Sequence, residues 1–275
     1  MANRLAAAVQ KSIPGRWKGW LLSFPLTRRF MHQTVREQDM TMATGIGQGL
    51  AFNPGRSNPA YAVGSNELPV QQVLVDHLRP GDVFYDVGAN VGFFTILAAR
   101  LVGPAGRVYA FEPLPDNVAV LRHNIALNAF ENVTLIEAAV AARPGQGELM
   151  VAHYSGGSAL ATLGTPPPDM KERLPVTLVS LDDLLASGTI AQAKLVKVDV
   201  EGAELAVLQG MTEMFRTHRP GIIYEIDDAD VAAFQQKARA CAEFLGEHGY
   251  QVTPLAESYA DIDWHVGHFL ATESN

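Results

Sequence analysis

The chain has 275 residues with a hydrophobic fraction of 48%, a charged fraction of 18% and a net charge of −8, values typical of a soluble globular protein. Cys241 is the only cysteine, which excludes an internal disulfide framework, makes a cysteine-based zinc site implausible and favours a cytoplasmic location. No window supplies the ~18 consecutive apolar residues of a membrane span, and the excess of acidic residues makes nucleic acid a poor partner.

The first part of the chain differs in charge from the rest. Residues 1–36 carry seven basic and no acidic side chains, so the remaining residues have a net charge of −15. Trp17, Trp20 and Phe24 recur at helical spacing. We predict that residues 1–44 form a basic helical arm. The arm either packs on the acidic body as a cap, which we favour, or makes peripheral contact with lipid headgroups.

From residue 45 onward the pattern predicts one α/β domain that extends to residue 275. Residues 45–66 indicate a hairpin and turns, and after them short β-branched runs alternate with helical patterns. The predicted strands are 83–87, 107–111, 133–137, 194–199 and 221–226. The predicted helices are 67–78, 91–101, 116–128, 202–215 and 229–248. The runs YQVTPL and WHVGHFLA then predict an antiparallel hairpin at the sheet edge.

An insertion at about residues 144–180 separates the third and fourth predicted strands. Its segments GELMVAHY and PVTLVSLDDLL indicate strands, and the segment between them is rich in glycine, proline and small residues without periodicity. Long connections of this kind are often functional lids. We therefore predict a mobile insertion framed by two strands.

The stretch VFYDVGANVGFF, residues 83–94, predicts a glycine-rich turn between a strand and a helix. Such a turn brings the backbone close to a ligand beside the positive end of the helix. A dinucleotide fingerprint needs glycine at its second and third positions, but Asn90 and Phe93 stand there. Because the Asn90 side chain obstructs a pyrophosphate, an NAD site is excluded on steric grounds.

A nucleoside without phosphates suits the same turn. Asp86 can face a bound amino group, directly or through water, and Gly88 and Gly92 leave room for an amino-acid tail. Glu112 follows Gly92 by 20 residues, and an ionised carboxylate there can accept both hydroxyls of a ribose. S-adenosylmethionine contains all of these groups.

The sequence resembles the FkbM family of S-adenosylmethionine-dependent methyltransferases over roughly residues 45–270. The matching segments are VFYDVGANVGFFTILAA, VYAFEPLPDNVAVLRHNIALN, KLVKVDVEGAELAVLQG and RPGIIYEI, among which K-x-D-x-E-G-x-E is the most specific. The resemblance implies the Rossmann-like, seven-stranded class I methyltransferase fold, with a mostly parallel sheet and an antiparallel edge hairpin. It also implies O-methylation of a hydroxyl on a sugar or natural product.

The resemblance further implies a set of cofactor-binding residues. The residues at the amino-acid end of the cofactor would be Asp86, Gly88, Asn90 and Gly92. Those at its ribose would be Glu112 and Asn117, and those beside its adenine would be Glu137 and Ala138.

The end of the fourth predicted strand carries the candidate catalytic residues. A hydroxyl acceptor has to lose its proton, and Lys197, Asp199 and Glu201 alternate on one strand face. We predict that Asp199 is the base and that Lys197 keeps it ionised. Glu201 is a further catalytic candidate at this strand end; alternatively, it stabilises the first turn of the next helix. On the last strand, His265 and His268 point to opposite faces, so at most one of them reaches the site; our catalytic candidate is His265.

Several alternatives stay open. Asp199 and Glu225 end neighbouring strands and could bind Mg²⁺, a metal site that we do not favour; activity that survives EDTA would eliminate it. Instead of O-methylation, the chain could methylate nitrogen on a small molecule or serve as a non-catalytic cofactor-binding module. A homo-oligomer is a further expectation that no motif supports.

Overall fold

The computed structural model describes residues 37–58, 60–152, 158–161, 170–259 and 264–274. Residues 1–36 of the predicted arm 1–44 and the central parts of the predicted insertion lie outside the described residues, so the arm's position and the insertion's mobility stay predictions. None of the described helices is long and apolar enough to cross a membrane.

Strands and helices alternate along most of the described chain. In chain order the strands are β1 Met40–Thr41, β2 Ala51–Phe52, β3 Val83–Val87, β4 Arg107–Phe111, β5 Val133–Ile136, β6 Ala139–Val140, β7 Gly145–Ala152, β8 Ala159–Leu160, β9 Met170–Val179, β10 Leu195–Val198, β11 Gly221–Asp228, β12 Tyr250–Pro254 and β13 His265–Glu273. The helices are α1 Ala60–Val63, α2 Leu68–His77, α3 Phe93–Val102, α4 Pro115–Leu127, α5 Leu181–Ala186, α6 Glu204–Gln209, α7 Thr212–Thr217 and α8 Val231–Glu247.

The central sheet has seven strands in the order β12–β13–β11–β10–β3–β4–β5. Strands β11, β10, β3, β4 and β5 are parallel, whereas β13 is antiparallel to both of its neighbours. This arrangement confirms the predicted Rossmann-like sheet with an antiparallel edge pair. The direction of chain progression reverses between β3 and β10, and ligands of open α/β sheets bind beyond the carboxyl ends of the strands at such a switch point.

Both faces of the inner strands β3, β4 and β10 are largely buried, which explains why these strands are mostly apolar. Successive residues of a strand point to opposite faces. Phe84 therefore joins a core cluster with Val70 of α2 and Ile96 of α3, while Tyr85 joins the cluster on the other face with Leu245 of α8.

The predicted helix 202–215 is wrong as a single element. It is divided into α6 and α7 at Gly210, where an added Cβ atom would collide with the backbone oxygen of Ala141. The carboxylate of Asp182 then accepts hydrogen bonds from the backbone N–H groups of Glu213 and Met214 and caps α7. The break is a consequence of tertiary contacts that the helical periodicity does not contain.

The hairpin predicted within residues 45–66 begins earlier. Strands β1 and β2 pair antiparallel with Met40 opposite Phe52, so residues of the predicted arm segment 1–44 take part in it. Asn124 of α4 and Asn128, which caps its C-terminal end, hold β2 and the residue after it: Asn128 Oδ1 accepts the Ala51 N–H at 2.9 Å, and Asn124 Oδ1 accepts the Asn53 N–H at 2.7 Å.

A second sheet, in the order β6–β9–β7–β8, is built largely from the segment predicted as an insertion. Strands β7 and β9 pair antiparallel along most of their length. Leu149 and Leu160 of this sheet join a core cluster with Leu114 and Ala203 of the main domain. The second sheet thus packs beside the carboxyl ends of the central strands.

Candidate active site

A cavity of about 540 Å³ lies at the carboxyl ends of β3, β4, β10 and β11, a volume within the range of small-molecule sites. Its lining residues are Asn58, Tyr61, Glu67, Gly88, Asn90, Phe111, Glu112, Pro113, Asn117, Ala138, Ala139, Val140, Leu149, Ser158, Leu160, Asp199, Val200, Glu201, Glu225, Asp227, Tyr259, Trp264 and Val266. The wall near β4 and the second sheet is mostly apolar, and the wall near β10 and β11 is acidic.

The glycines of the turn are needed chiefly because other atoms of the protein pack closely against them. Gly88 lines the cavity with φ of 80°, and a Cβ atom there would collide with the backbone oxygen of Asp199. Gly92 begins α3 with φ of 88°, and its Cβ position overlaps Leu121. Gly92 does not line the cavity, which corrects the prediction that it leaves room for a ligand.

Asn90 has the left-handed φ of 51°, a conformation that asparagine tolerates better than most residues. Its N–H donates to Glu112 Oε2 at 2.8 Å. Its side-chain oxygen Oδ1 is buried without a hydrogen-bond partner among the described residues. Since Asn90 lines the cavity, this acceptor suits a ligand that brings a donor.

Glu112 is 5% exposed and is held on both carboxylate oxygens. In addition to the bond from Asn90, Oε1 accepts the Leu114 N–H at 2.9 Å and Asn117 Nδ2 at 3.4 Å. Burial raises the pKa of Glu112 to about 7, although these donors oppose the shift. The fixed carboxylate can accept further hydrogen bonds from the cavity, as the predicted ribose contact requires.

The apolar wall is where a flat aromatic base fits. Phe111 ends β4 there, and Leu149 and Leu160 come from the second sheet. Ala138 lines this wall, and its place beside the adenine stays a prediction. Glu137 does not line the wall: its side chain is 53% exposed and forms an ion pair with Arg122, so its predicted place beside the adenine is corrected.

Asp86 lies behind the cavity wall. It is 1% exposed, and its Oδ2 accepts Thr95 Oγ1 of α3 at 2.5 Å. Burial raises the pKa of Asp86, and Lys197, its partner across the β3–β10 pair, opposes that shift. The carboxylate links the turn to α3 and does not face the cavity, which corrects the predicted direct contact with a ligand.

Lys197 and Asp199 form an ion pair with 2.7 Å between Nζ and Oδ2. The lysine side chain is 3% exposed, whereas Asp199 is 25% exposed and lines the cavity. Burial lowers the pKa of Lys197, but the surrounding carboxylates, first Asp199 and then Glu67, outweigh it and raise the pKa above the ordinary value. Lys197 therefore stays charged behind Asp199 and is placed to act through it.

Glu201 lines the cavity with the left-handed φ of 54° and makes no hydrogen bond or ion pair with any other described residue. Burial raises its pKa well above the ordinary value, and repulsion from Asp227 and Asp199 adds to the shift. The alternative prediction for Glu201 was that it stabilises the first turn of the next helix. The residue at that position is Glu204, whose carboxylate accepts hydrogen bonds from the N–H groups of Val200 and Gly202.

The inward-pointing histidine of β13 is His268. His265 is exposed and lies outside the cavity with its ring near Phe234, so the choice of His265 as a catalytic candidate is wrong. His268 is 3% exposed, and its Nε2 lies 2.6 Å from Glu225 Oε2 and 3.2 Å from Glu67 Oε2. Burial lowers the pKa of His268, but the two carboxylates reverse this and raise it to about 10.

Glu67 and Tyr259 are site residues that the sequence reasoning missed. The Tyr259 hydroxyl donates to Glu67 Oε1 at 2.6 Å across 192 positions of the chain. Glu67 has the left-handed φ of 46° immediately before α2. Glu67, Glu225 and His268 are also the one described group whose ligand atoms lie within 4.8 Å of one another and could hold a metal ion. Of the predicted Mg²⁺ pair, Glu225 belongs to this group and Asp199 does not.

Comparison with known proteins identifies the family. The Methyltransferase FkbM domain matches residues 86–252. The 31-O-demethyl-FK506 methyltransferase FkbM of Streptomyces tacrolimicus is 32% identical over 200 residues, covering 64% of this chain and 75% of that protein. The hexuronic acid methyltransferase AglP of Haloferax volcanii is 29% identical over 181 residues, covering 64% and 71%.

Among solved structures, the methyltransferase FkbM of Methylobacillus flagellatus has a TM-score of 0.47 with 15% identity and covers 74% of this chain and 50% of that chain. The family assignment depends instead on the domain match, which spans more than half of the chain, and on the relative from Streptomyces tacrolimicus. The chain belongs to the FkbM family of S-adenosylmethionine-dependent methyltransferases.

Proposed function

We propose that this protein methylates a hydroxyl group of a small molecule, a sugar or a natural product. The observation that carries the proposal is the position of Asp199. Asp199 lines the same cavity as Glu112, and its carboxylate is ion-paired with a buried lysine. Its backbone oxygen adjoins the glycine turn at Gly88.

When bound, S-adenosylmethionine supplies a methyl group that is activated by the positive sulfur. The donor set of the cavity suits this cofactor. We assign Glu112 to the ribose hydroxyls, because both of its oxygens are already oriented by protein donors. The unpartnered Oδ1 of Asn90 suits the amino-acid end, and the wall of Phe111, Ala138 and Leu149 suits the adenine.

Asp199 is the proposed general base. A hydroxyl has to lose its proton as it reacts, and a positioned base typically contributes a factor of about 10²–10⁴ to the rate. The ion pair with Lys197 fixes the orientation of the Asp199 carboxylate. Lys197 is thus a positioning residue, since it does not line the cavity.

The relatives support an oxygen acceptor. One is named for 31-O-demethyl-FK506 and another for hexuronic acid, so a natural product and a sugar are both represented among the similar proteins. The acceptor of this chain is expected in the same broad class.

Calorimetry and a transfer assay test the proposal in sequence. S-adenosylhomocysteine should bind and NAD should not. Transfer of a labelled methyl group is then screened over sugars and macrolides, and nuclear magnetic resonance of the product locates the methyl group. Binding of NAD without binding of S-adenosylhomocysteine contradicts the cofactor assignment, and a methyl group on nitrogen contradicts O-methylation.

A further inference from the structure

Two carboxyl groups of the cavity are held in the same way. Asp199 and Glu225 both line the cavity, and each is bound at one oxygen by a buried basic side chain. Lys197 Nζ lies 2.7 Å from Asp199 Oδ2, and His268 Nε2 lies 2.6 Å from Glu225 Oε2. The second oxygen of each makes no hydrogen bond or ion pair with a described residue. Each carboxyl group is therefore fixed in place and keeps one oxygen for a ligand.

The central sheet places these two carboxyl groups side by side. Val198 of β10 is paired with Tyr224 of β11, so Asp199 and Glu225 are the next residues along two neighbouring parallel strands. Neighbouring strands lie about 4.8 Å apart. Because both side chains line the cavity, the site of the proposed base contains a second hydrogen-bonding group next to it.

His268 is itself held in place by the protein. The register of β13 sets it directly opposite Glu225, and Glu67 Oε2 lies 3.2 Å from its Nε2. Glu67 Oε1 accepts hydrogen bonds from the Tyr259 hydroxyl at 2.6 Å and from Asn66 Nδ2 at 2.5 Å. Both oxygens of Glu67 are thus used by protein groups. Glu67 therefore holds the histidine, and Glu225 is the member of this network that has an oxygen left for a ligand.

We propose that Glu225 is a second acceptor-binding residue, that His268 positions it, and that the acceptor is a 1,2-diol. The inference rests on the proposed function and adds the class of the acceptor. The hydroxyl nearer Asp199 gives its proton to that carboxylate as its oxygen takes the methyl group from the sulfur. The neighbouring hydroxyl keeps its proton and stays hydrogen-bonded to Glu225. Two such contacts fix the orientation of the reacting oxygen better than one does.

The contact with the second hydroxyl is available whether Glu225 is ionised or protonated. Burial raises the pKa of Glu225 to about 8, and repulsion from Asp199 adds to the shift, whereas the hydrogen bond from His268 opposes it. An ionised carboxylate accepts a hydrogen bond and a protonated one can also donate, and a hydroxyl group can do either. The acceptor therefore needs two neighbouring hydroxyls and no particular charge.

Two isomers of cyclohexanediol test the preference. The hydroxyls of trans-1,2-cyclohexanediol are neighbours, whereas those of trans-1,4-cyclohexanediol lie at opposite ends of the same ring. The full chain is first shown to bind S-adenosylhomocysteine. Transfer of a labelled methyl group to each diol then gives kcat and KM, with EDTA present so that no metal ion bridges diol and carboxylates. We expect kcat/KM to be at least about tenfold higher for the 1,2-diol, which corresponds to one good hydrogen bond.

Variants locate the preference in Glu225 and His268. Glu225→Leu should raise KM for the 1,2-diol and reduce the preference about threefold or more. Glu225→Gln keeps a hydrogen-bonding group and should restore most of it. His268→Leu removes the donor that positions Glu225 and should also reduce the preference. His265→Gln, which alters an exposed residue of the same strand, should leave it unchanged. Because the preference is a ratio measured on one enzyme sample, it does not depend on the fraction of the chain that is folded.

Equal kcat/KM values for the two diols, including no transfer to either, overturn the proposal. A preference that survives Glu225→Leu overturns the role of Glu225, and one that survives His268→Leu overturns the role of His268. Asp199→Asn should instead reduce turnover of both diols alike, which separates the base from the second contact. The wild-type ratio decides the question even where a variant does not fold. Failure of S-adenosylhomocysteine to bind at the first step contradicts the proposed function instead, so the two failures are distinguishable.

Discussion

Gly88 and Asp199 approach so closely that no side chain fits between the Gly88 Cα atom and the Asp199 backbone oxygen. Gly88 directly follows β3 and Asp199 directly follows β10, so this contact sets the distance between the glycine turn and the proposed base. Because position 88 is a glycine, two parts of the site that are 111 positions apart in the chain can lie in contact.

Gly88→Ala should therefore cost more than backbone strain alone. A non-glycine residue at positive φ costs about 1–3 kcal/mol, and the collision with Asp199 adds to it. Gly188→Ala is the matched control, because Gly188 also has positive φ, of 73°, but no atom lies within 4 Å of its Cβ position. Urea denaturation of both variants measures the difference. Equal losses in unfolding free energy would show that the contact with Asp199 has no effect.

Replacing Glu112 should weaken cofactor binding. We expect Glu112→Ala to lose about 1–3 kcal/mol of affinity for S-adenosylhomocysteine, which is the range for a hydrogen bond to a charged group and for the donors left unsatisfied. Glu137→Ala is the control, since that side chain is exposed and paired with Arg122. Calorimetry compares the two, and a larger loss for Glu137→Ala would show that the Glu137 side chain contacts the cofactor.

Glu112 should also make the stability of the cofactor-free protein depend on pH. Burial raises its pKa from 4.5 to about 7, so between these values the folded state holds a proton that the unfolded state releases. Wild-type stability therefore falls as pH rises from 4.5 to 7. Glu112→Gln lacks this loss and should gain about 1–3 kcal/mol relative to wild type between pH 5 and pH 8. Urea denaturation at the two pH values checks this, and a constant difference refutes it.

Asp199→Asn should separate catalysis from binding. The amide keeps the shape of the side chain but cannot accept the proton of a hydroxyl, so we expect turnover to fall at least about 100-fold. The affinity for S-adenosylhomocysteine should change little. Single-turnover methyl transfer and calorimetry measure the two quantities, and equal losses in both would contradict a role on the acceptor side.

The two histidines of β13 should differ sharply in stability. His268→Gln removes a buried charged group from between Glu67 and Glu225, and breaking such a buried pair typically costs about 3–5 kcal/mol. His265→Gln alters an exposed residue and should stay within about 0.5 kcal/mol. Chemical denaturation compares them, and similar values for the two variants would contradict the assignment of faces.

Local patterns predicted the central strands well because each is an apolar run bounded by turn residues. The boundaries of β3 and β4 agree with those predicted, and Glu112 was found because its spacing from the glycine turn is local. The split at Gly210 could not be predicted, since it depends on Ala141, which is distant in sequence.

The acidic wall was predicted only in part for the same reason. Asp199 and Glu225 follow from strand ends, but Glu67 and His268 are separated by 201 positions, and neither has a periodic or spacing signal of its own. The choice between His265 and His268 needs the register of β13, which pairs Glu225 with His268. Alternation along the strand shows that the two histidines point to opposite faces, but it does not show which of them points inward.

The position of β13 between β11 and β12 has a consequence for biosynthesis. A nascent chain that has left the ribosome only as far as β12 has no neighbour for that strand, because the sheet places β13 between β12 and the rest. At that stage Glu67 and Glu225 also lack the histidine that bridges them. The last described strand to be translated therefore completes both the sheet edge and the acidic wall of the cavity. Translation that stalls before this strand leaves an incompletely folded chain exposed to chaperones and proteases.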